Sequence, residues 1–200
     1  MKRTQLLLAV TVCAVMATAS AARADGYLIL NGGALLPTGD DDWVDLVEPS
    51  ASFAVRGGGN RRVARNARVA FEAGLEYAPL ATDFNSPLFE LDVTRFRFLL
   101  GARYEQLLSR GLLLSLRGGL GLSHLRAEVS TVLGGSDSDS DTGLALDLAA
   151  GLWFAAGPVL VGAEFGLPMG FHSDEDSATG ATLDYRMTEI AMSAGVRFHL

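Results

Sequence analysis

The chain has 200 residues, 49% of them hydrophobic, and 23 acids against 16 Lys and Arg give a formal charge of −7. An acidic surplus excludes a nucleic-acid module, which needs clustered cations to meet phosphate. Beyond residue 25 the apolar runs are all too short for a membrane-spanning helix, so a large core or a β-barrel must absorb the hydrophobicity.

Lys2 and Arg3, an apolar run from Leu6 to about Val15, and small residues up to Ala22-Arg23-Ala24 follow the three-part plan of a secretory signal peptide. The expected leader is residues 1–24, cleaved before Asp25, and the mature domain is 25–200. Cys13 is the only cysteine and lies in that leader, so the mature domain is expected to have no disulfide or thiolate metal site. Removing Lys2, Arg3 and Arg23 leaves 13 cations, all Arg, against 23 acids, a charge of −10.

The mature chain then alternates with period two, the mark of strands with one apolar and one polar face. The first strand is Tyr27 to Leu36, and the second runs from Ser50 to Gly57 with Phe53 and Val55 opposite Arg56. The third, Ala67 to Ala78, sets Val69, Phe71, Leu75 and Tyr77 against Arg68, Glu72 and Glu76. In the fourth, Phe89 to Tyr104, Phe96, Phe98 and Leu100 oppose Arg95, Arg97 and Arg103. The fifth, Leu112 to Leu125, opposes Leu114 and Leu116 to Arg117. The sixth, Leu144 to Ala155, opposes Leu148 and Phe154 to Asp147 and Trp153, and the seventh, Val159 to Leu167, opposes Phe165 to Glu164. The eighth begins near Leu183 and ends with Ile190, Met192, Ala194, Val196, Phe198 and Leu200 on one face. Leu183, Tyr185 and Met187 have the other parity, which predicts a β-bulge near Thr188 or Glu189.

Strands of nine or more residues suit a tilted membrane crossing. The expected fold is all-β: an eight-stranded antiparallel up-and-down transmembrane β-barrel with a filled polar interior. Its buried charge network is predicted to comprise Arg56, Arg68, Glu72, Glu76, Arg97, Arg103, Arg117, Asp147, Glu164 and Arg197, paired because lone buried charges are prohibitive. Phe71, Phe98, Leu114, Leu148, Phe165 and Val196 should face lipid. Connections alternate long (37–49, 79–88, 126–143, 168–182) and short (58–66, 105–111, 157–158), as in barrels with outer loops and periplasmic turns.

The run Tyr27-Leu28-Ile29-Leu30-Asn31-Gly32-Gly33 with Pro37-Thr38-Gly39-Asp40, and the terminal strand, resemble the small eight-stranded outer-membrane barrels of the OmpA-type and opacity-protein-like superfamily. The resemblance covers the mature chain. It implies the outer membrane of a Gram-negative-type bacterium, contact with outer-membrane lipid and lipopolysaccharide, recognition of Ile190 to Leu200 by the barrel-assembly machinery, a monomer, and no cofactor or nucleic acid.

Two motifs suggest chemistry. Asp137, Asp139 and Asp141 alternate like the opening of a calcium loop, but Thr142 and Leu148 stand where an EF-hand needs Gly and Glu, so a solvated outer loop is expected. With Asp40-Asp41-Asp42 and Asp174-Glu175-Asp176 it would make three acidic loops that could bridge to lipopolysaccharide through divalent ions. Some barrels of this kind modify lipid A with a Ser-His-acid set. Here Ser123 and His124 are adjacent and point to opposite faces, and His172-Ser173 lies in a loop, which leaves His124 as a candidate base without a nucleophile. Phe53, Tyr77, Phe89, Tyr104, Trp153 and Phe154 read mostly as girdle or lipid-facing residues. The reading is a non-catalytic barrel with a structural or surface-interaction role. The alternatives are a lipid-A-modifying enzyme and a secreted soluble ligand-binding barrel.

Overall fold

The structure, a computed structural model, describes residues 25–39, 47–82, 89–131, 136–175 and 182–200. The expected leader at 1–24, the run Asp40-Asp41-Asp42 and the side chains of Asp174-Glu175-Asp176 lie outside that description.

Eight strands follow one another: β1 Asp25–Gly39, β2 Ser50–Ala64, β3 Ala67–Leu80, β4 Phe89–Ser109, β5 Leu112–Thr131, β6 Ser136–Ala156, β7 Val159–Glu175 and β8 Thr182–His199. Each pairs antiparallel with the next, and β8 returns to β1 from Tyr27↔His199 to Gly39↔Met187, closing the ring. Closure removes every free edge within the bilayer, where an unpaired backbone group has no water to meet it. Phe71, Leu148 and Phe165 are exposed on the outer wall, and Phe98, Leu114 and Val196 share its parity. Glu72, Arg97, Arg117 and Arg197 are buried inside.

The strands outrun the sequence pattern. At the end that carries the termini, β2 continues through Gly58–Ala64 and β4 through Glu105–Ser109. Connections expected at 58–66 and 105–111 therefore shrink to the two-residue turns Arg65-Asn66 and Arg110-Gly111, matching Gly157-Pro158. Gly157 (φ 67°) and Gly111 (φ 89°) take left-handed conformations that an L side chain would strain. At Gly157 the fixed φ of Pro158 suits the second position of a primed hairpin turn. At the other end, β6 begins at Ser136 and β7 runs to Glu175, so most of the expected loops at 126–143 and 168–182 are strand.

The predicted bulge in β8 is absent: the register to β1 is continuous from Met187 to His199. Met187 instead points inward, 1% exposed, and packs with Leu35, Val47, Ala78, Leu80 and Leu125 into an apolar plug under the outer rim. The lumen changes from polar to apolar there, so the parity of hydrophobic residues inverts while the backbone does not. Trp153 is a second correction. It is fully buried rather than part of the girdle, because it shares the inward parity of Asp147 and closes the inner end of the lumen with Tyr27, Ile29, Ala70 and Leu113.

Candidate functional site

Between the two apolar plugs lies a layer of charge. Among the described residues, six buried arginines (Arg56, Arg95, Arg97, Arg103, Arg117, Arg197) meet six buried acids (Glu72, Glu76, Glu105, Asp147, Glu164, Glu189), so the lumen is neutral in sum. Arg103 donates from Nε to Glu72 (2.9 Å) and from Nη1 to Glu164 (2.6 Å). Glu164 also takes Arg56 at 3.2 Å and the Asn31 amide at 3.1 Å, while Tyr27 donates its hydroxyl to Glu72 at 2.8 Å. Arg117 binds Asp147. Glu76 lies 3.4 Å from Arg95 and 3.6 Å from Arg97. At the two ends, Arg95 donates to Glu189 at 2.7 Å and Arg197 to Glu105. Arg197 also lies 4.0 Å over the Tyr27 ring, and Ser115 accepts from both Arg103 and the Trp153 indole.

Eight strands close too narrow a ring for an aqueous channel, and side chains fill it. The cavity inside the charge layer, beside Arg56, Glu76, Asp147 and Glu164, holds only about 20 Å³, the scale of one water molecule.

On the outer wall the register aligns Phe53↔Tyr77, Tyr77↔Phe96, Phe96↔His124 and His124↔Thr142, one belt across five strands. Tyr77 and Phe96 rings pack at 4.9 Å. An amphipathic aromatic belt of this kind marks the boundary between hydrocarbon and water. His124 Nδ1 lies 2.8 Å from the Thr142 hydroxyl. Ser123 is fully buried on the other face.

Above that belt β4, β5 and β6 continue together: Phe89↔Thr131 joins the first two, and Ser130↔Ser136 the second. A crossing takes about 9–11 residues. β5 and β6 have 20 and 21, and past the belt β4, β5 and β6 continue over 89–95, 125–131 and 136–141, a three-stranded blade six or seven residues tall. β6 pairs with β7 only as far as Leu144↔Phe171, which leaves the backbone of Ser136–Ser140 paired with β5 alone among the described residues. There Asp137 Oδ1 accepts from the Ser138 backbone N–H (2.9 Å) and Asp139 Oδ1 from that of Ser140 (2.7 Å). Strand geometry sets alternate carboxylates about 6.6 Å apart, so Asp137 and Asp141 stand about 13 Å apart and do not converge on one ion. Among the described residues no three His, Cys, Asp or Glu form a metal-binding group. Asp141 turns to His172 on β7, 2.7 Å away.

A family profile described as an outer membrane protein beta-barrel domain matches residues 6–198. The chain belongs to that family. A search of curated proteins finds no match. Three solved structures share the fold at low identity. A major outer membrane protein from Thermus thermophilus is 11% identical, covering 88% of this chain and 99% of its own, with a TM-score of 0.54. Neisserial surface protein A is 17% identical over 88% and 97%, with a TM-score of 0.52. The attachment invasion locus protein Ail of Yersinia pestis, in complex with the heparin analogue sucrose octasulfate, is 20% identical over 87% and 99%, with a TM-score of 0.50.

The chain is thus an outer-membrane β-barrel protein of the Gram-negative type. Nine of the ten charges predicted for its interior are buried there. The exception is Arg68, half-buried at the periplasmic mouth and outside the lumenal ion pairs. Sequence reasoning missed Arg95, Glu105 and Glu189. Inward parity marks Arg95 and Glu105, but the expected connection at 105–111 takes Glu105 out of the strand. The bulge expected near Thr188 or Glu189 leaves the parity of Glu189 undefined, and the continuous register settles it. It also missed Thr142 as the neighbour of His124, a cross-strand relation that only the register reveals.

Proposed function

We propose that this barrel is a non-catalytic surface-interaction protein whose working element is the β4–β5–β6 blade. The observation that carries the reading is the contrast between the two halves of the molecule. The charge layer of the lumen is neutral in sum and its cavity holds about 20 Å³, the volume of about one water, while three strands continue six or seven residues past the belt. The His124–Thr142 pair supplies a base beside a hydroxyl, but the described residues show no carboxylate orienting the imidazole, which a nucleophilic set requires.

The blade's described charges are mainly acidic: Asp92, Glu128, Asp137, Asp139 and Asp141 against Arg126. Ail is seen with a polyanion. This surface instead suits a partner carrying positive charge, or lipopolysaccharide bridged through divalent cations. The leader at 1–24, delivery through the terminal strand Ile190 to Leu200 to the barrel-assembly machinery, and a monomeric state belong to the same proposal.

The test replaces residues 127–139 with a two-residue turn. The shortened barrel should keep heat-modifiable gel migration and its outer-membrane fractionation, and lose salt-sensitive binding of cationic surfaces or peptides by cells displaying it. Lipid A mass spectra with and without the protein should be identical. A missing or transferred acyl chain, abolished by His124→Ala, would overturn the reading in favour of an enzyme.

A further inference from the structure

The periplasmic mouth carries a feature that a plugged barrel does not require. A cavity of about 220 Å³ opens there, lined by Arg62, Arg65, Arg68 and His199 above Leu113 and Leu160. Arg197 and Glu105 also line it. Glu105 is the one carboxylate among the described lining residues, and Arg197 already engages it. Four arginines therefore face one spoken-for acid.

The backbone makes the imbalance sharper. Arg62 on β2 and Arg68 on β3 are direct cross-strand partners, and like charges set opposite each other destabilise a sheet. Arg197 is fully buried, yet its Nε and Nη2 donors have no hydrogen-bond partner among the described residues. Buried donors without acceptors are costly. An anion in the mouth offsets the Arg62–Arg68 repulsion directly and adds negative charge next to the buried Arg197, and guanidinium forks match phosphate oxygens in geometry and charge. The leucines beneath give room for an apolar substituent next to the anionic group.

We infer that the periplasmic mouth is a binding site for a phosphate group, held by Arg62 and Arg68 with Arg65 and His199 at its rim and the Arg197 charge beneath. The phosphate arrives either as the headgroup of an anionic phospholipid of the inner leaflet or as a small soluble phosphate. The site is at the opposite end of the barrel from the blade, so its failure leaves the surface reading untouched.

The experiment uses the mature barrel. In uncharged detergent, inorganic phosphate is titrated while Arg side-chain and His199 NMR signals are followed. In nanodiscs of phosphatidylglycerol or phosphatidylcholine, lipid retention is read by native mass spectrometry. The variant R62Q/R68Q should weaken phosphate binding at least tenfold and abolish preferential retention of phosphatidylglycerol. Arg61→Gln, on the outward parity of the same strand, should change neither. Without phosphate, R62Q/R68Q should resist urea better than the parent, because the repulsion is gone; the single variant Arg68→Gln repeats the test if the double variant fails to fold. Saturable free phosphate identifies a soluble ligand, and selective phosphatidylglycerol retention identifies a headgroup; either supports the site. Binding equal in parent and R62Q/R68Q, or no response in either arm, overturns it.

Discussion

Arg103 on β4 and Glu164 on β7 join across the lumen at 2.6 Å, three strands apart around the wall. Arg103 also holds Glu72, so its removal takes a guanidinium from two buried carboxylates at once, leaving Glu164 with Arg56 and Asn31 and Glu72 with Tyr27 and Arg117. Arg103→Ala is expected to lower barrel stability by about 3–5 kcal/mol, the usual penalty for breaking a buried pair from one side. Replacing both Arg103 and Glu164 with Leu should cost less than the two single losses added together. Urea titrations of the refolded barrel in vesicles, run as a double-mutant cycle, measure that coupling.

The position of Trp153 has a direct optical test. The chain has two tryptophans, Trp43 and Trp153. In a Trp43→Phe background, Trp153 should emit in the blue and resist quenching by brominated lipid, because it faces the lumen. A girdle tryptophan would be quenched. Trp153→Phe gives up the hydrogen bond to Ser115, and about 1 kcal/mol of stability should go with it.

The aspartates of the blade point to a different outcome from metal loading. Asp137 and Asp139 occupy N–H groups on an edge that could otherwise recruit another strand, a common defence against edge-to-edge association. Asp137→Ala with Asp139→Ala should raise the fraction of dimers and larger species seen by light scattering in detergent. Adding calcium or a chelator to the parent should leave its melting unchanged.

Two substitutions calibrate the wall and the turns. Leu120 is 67% exposed on the outer face, paired with Leu100 and Leu146 between the two interfaces, so Leu120→Arg should cost roughly 2–4 kcal/mol in lipid. Gly111 sits at φ 89°, and Gly111→Ala should cost about 1–2 kcal/mol, the strain of a left-handed alanine. Equilibrium refolding into vesicles reads both.

Alternation made the barrel and its inner face legible, because lipid and a charged lumen impose opposite chemistry on successive residues. The same rule misleads at Met187, where the lumen itself becomes apolar and an inward residue looks like an outward one; at Trp153 alternation gives the inward face and only the residue type suggests the girdle. It failed again at the strand ends. Gly58 and Asp139 carry poor strand propensity, yet neighbouring strands supply their hydrogen bonds. Pairings between residues far apart in sequence, such as Arg95 with Glu189 or His124 with Thr142, depend on stagger around the ring, which no local pattern encodes.

Among the described residues β8 buries one acid, Glu189, and one base, Arg197, in the lumen, and both find their partners on β4: Arg95 toward the outer end and Glu105 toward the inner. A closing strand docked two residues out of step would miss both, leaving two charges of each sign facing empty or like-charged positions. Those ion pairs therefore favour the native stagger over its slipped alternatives. They make the last seam of the ring answer to the far wall as well as to its immediate neighbours, because only the native stagger brings each of these four charges to its partner.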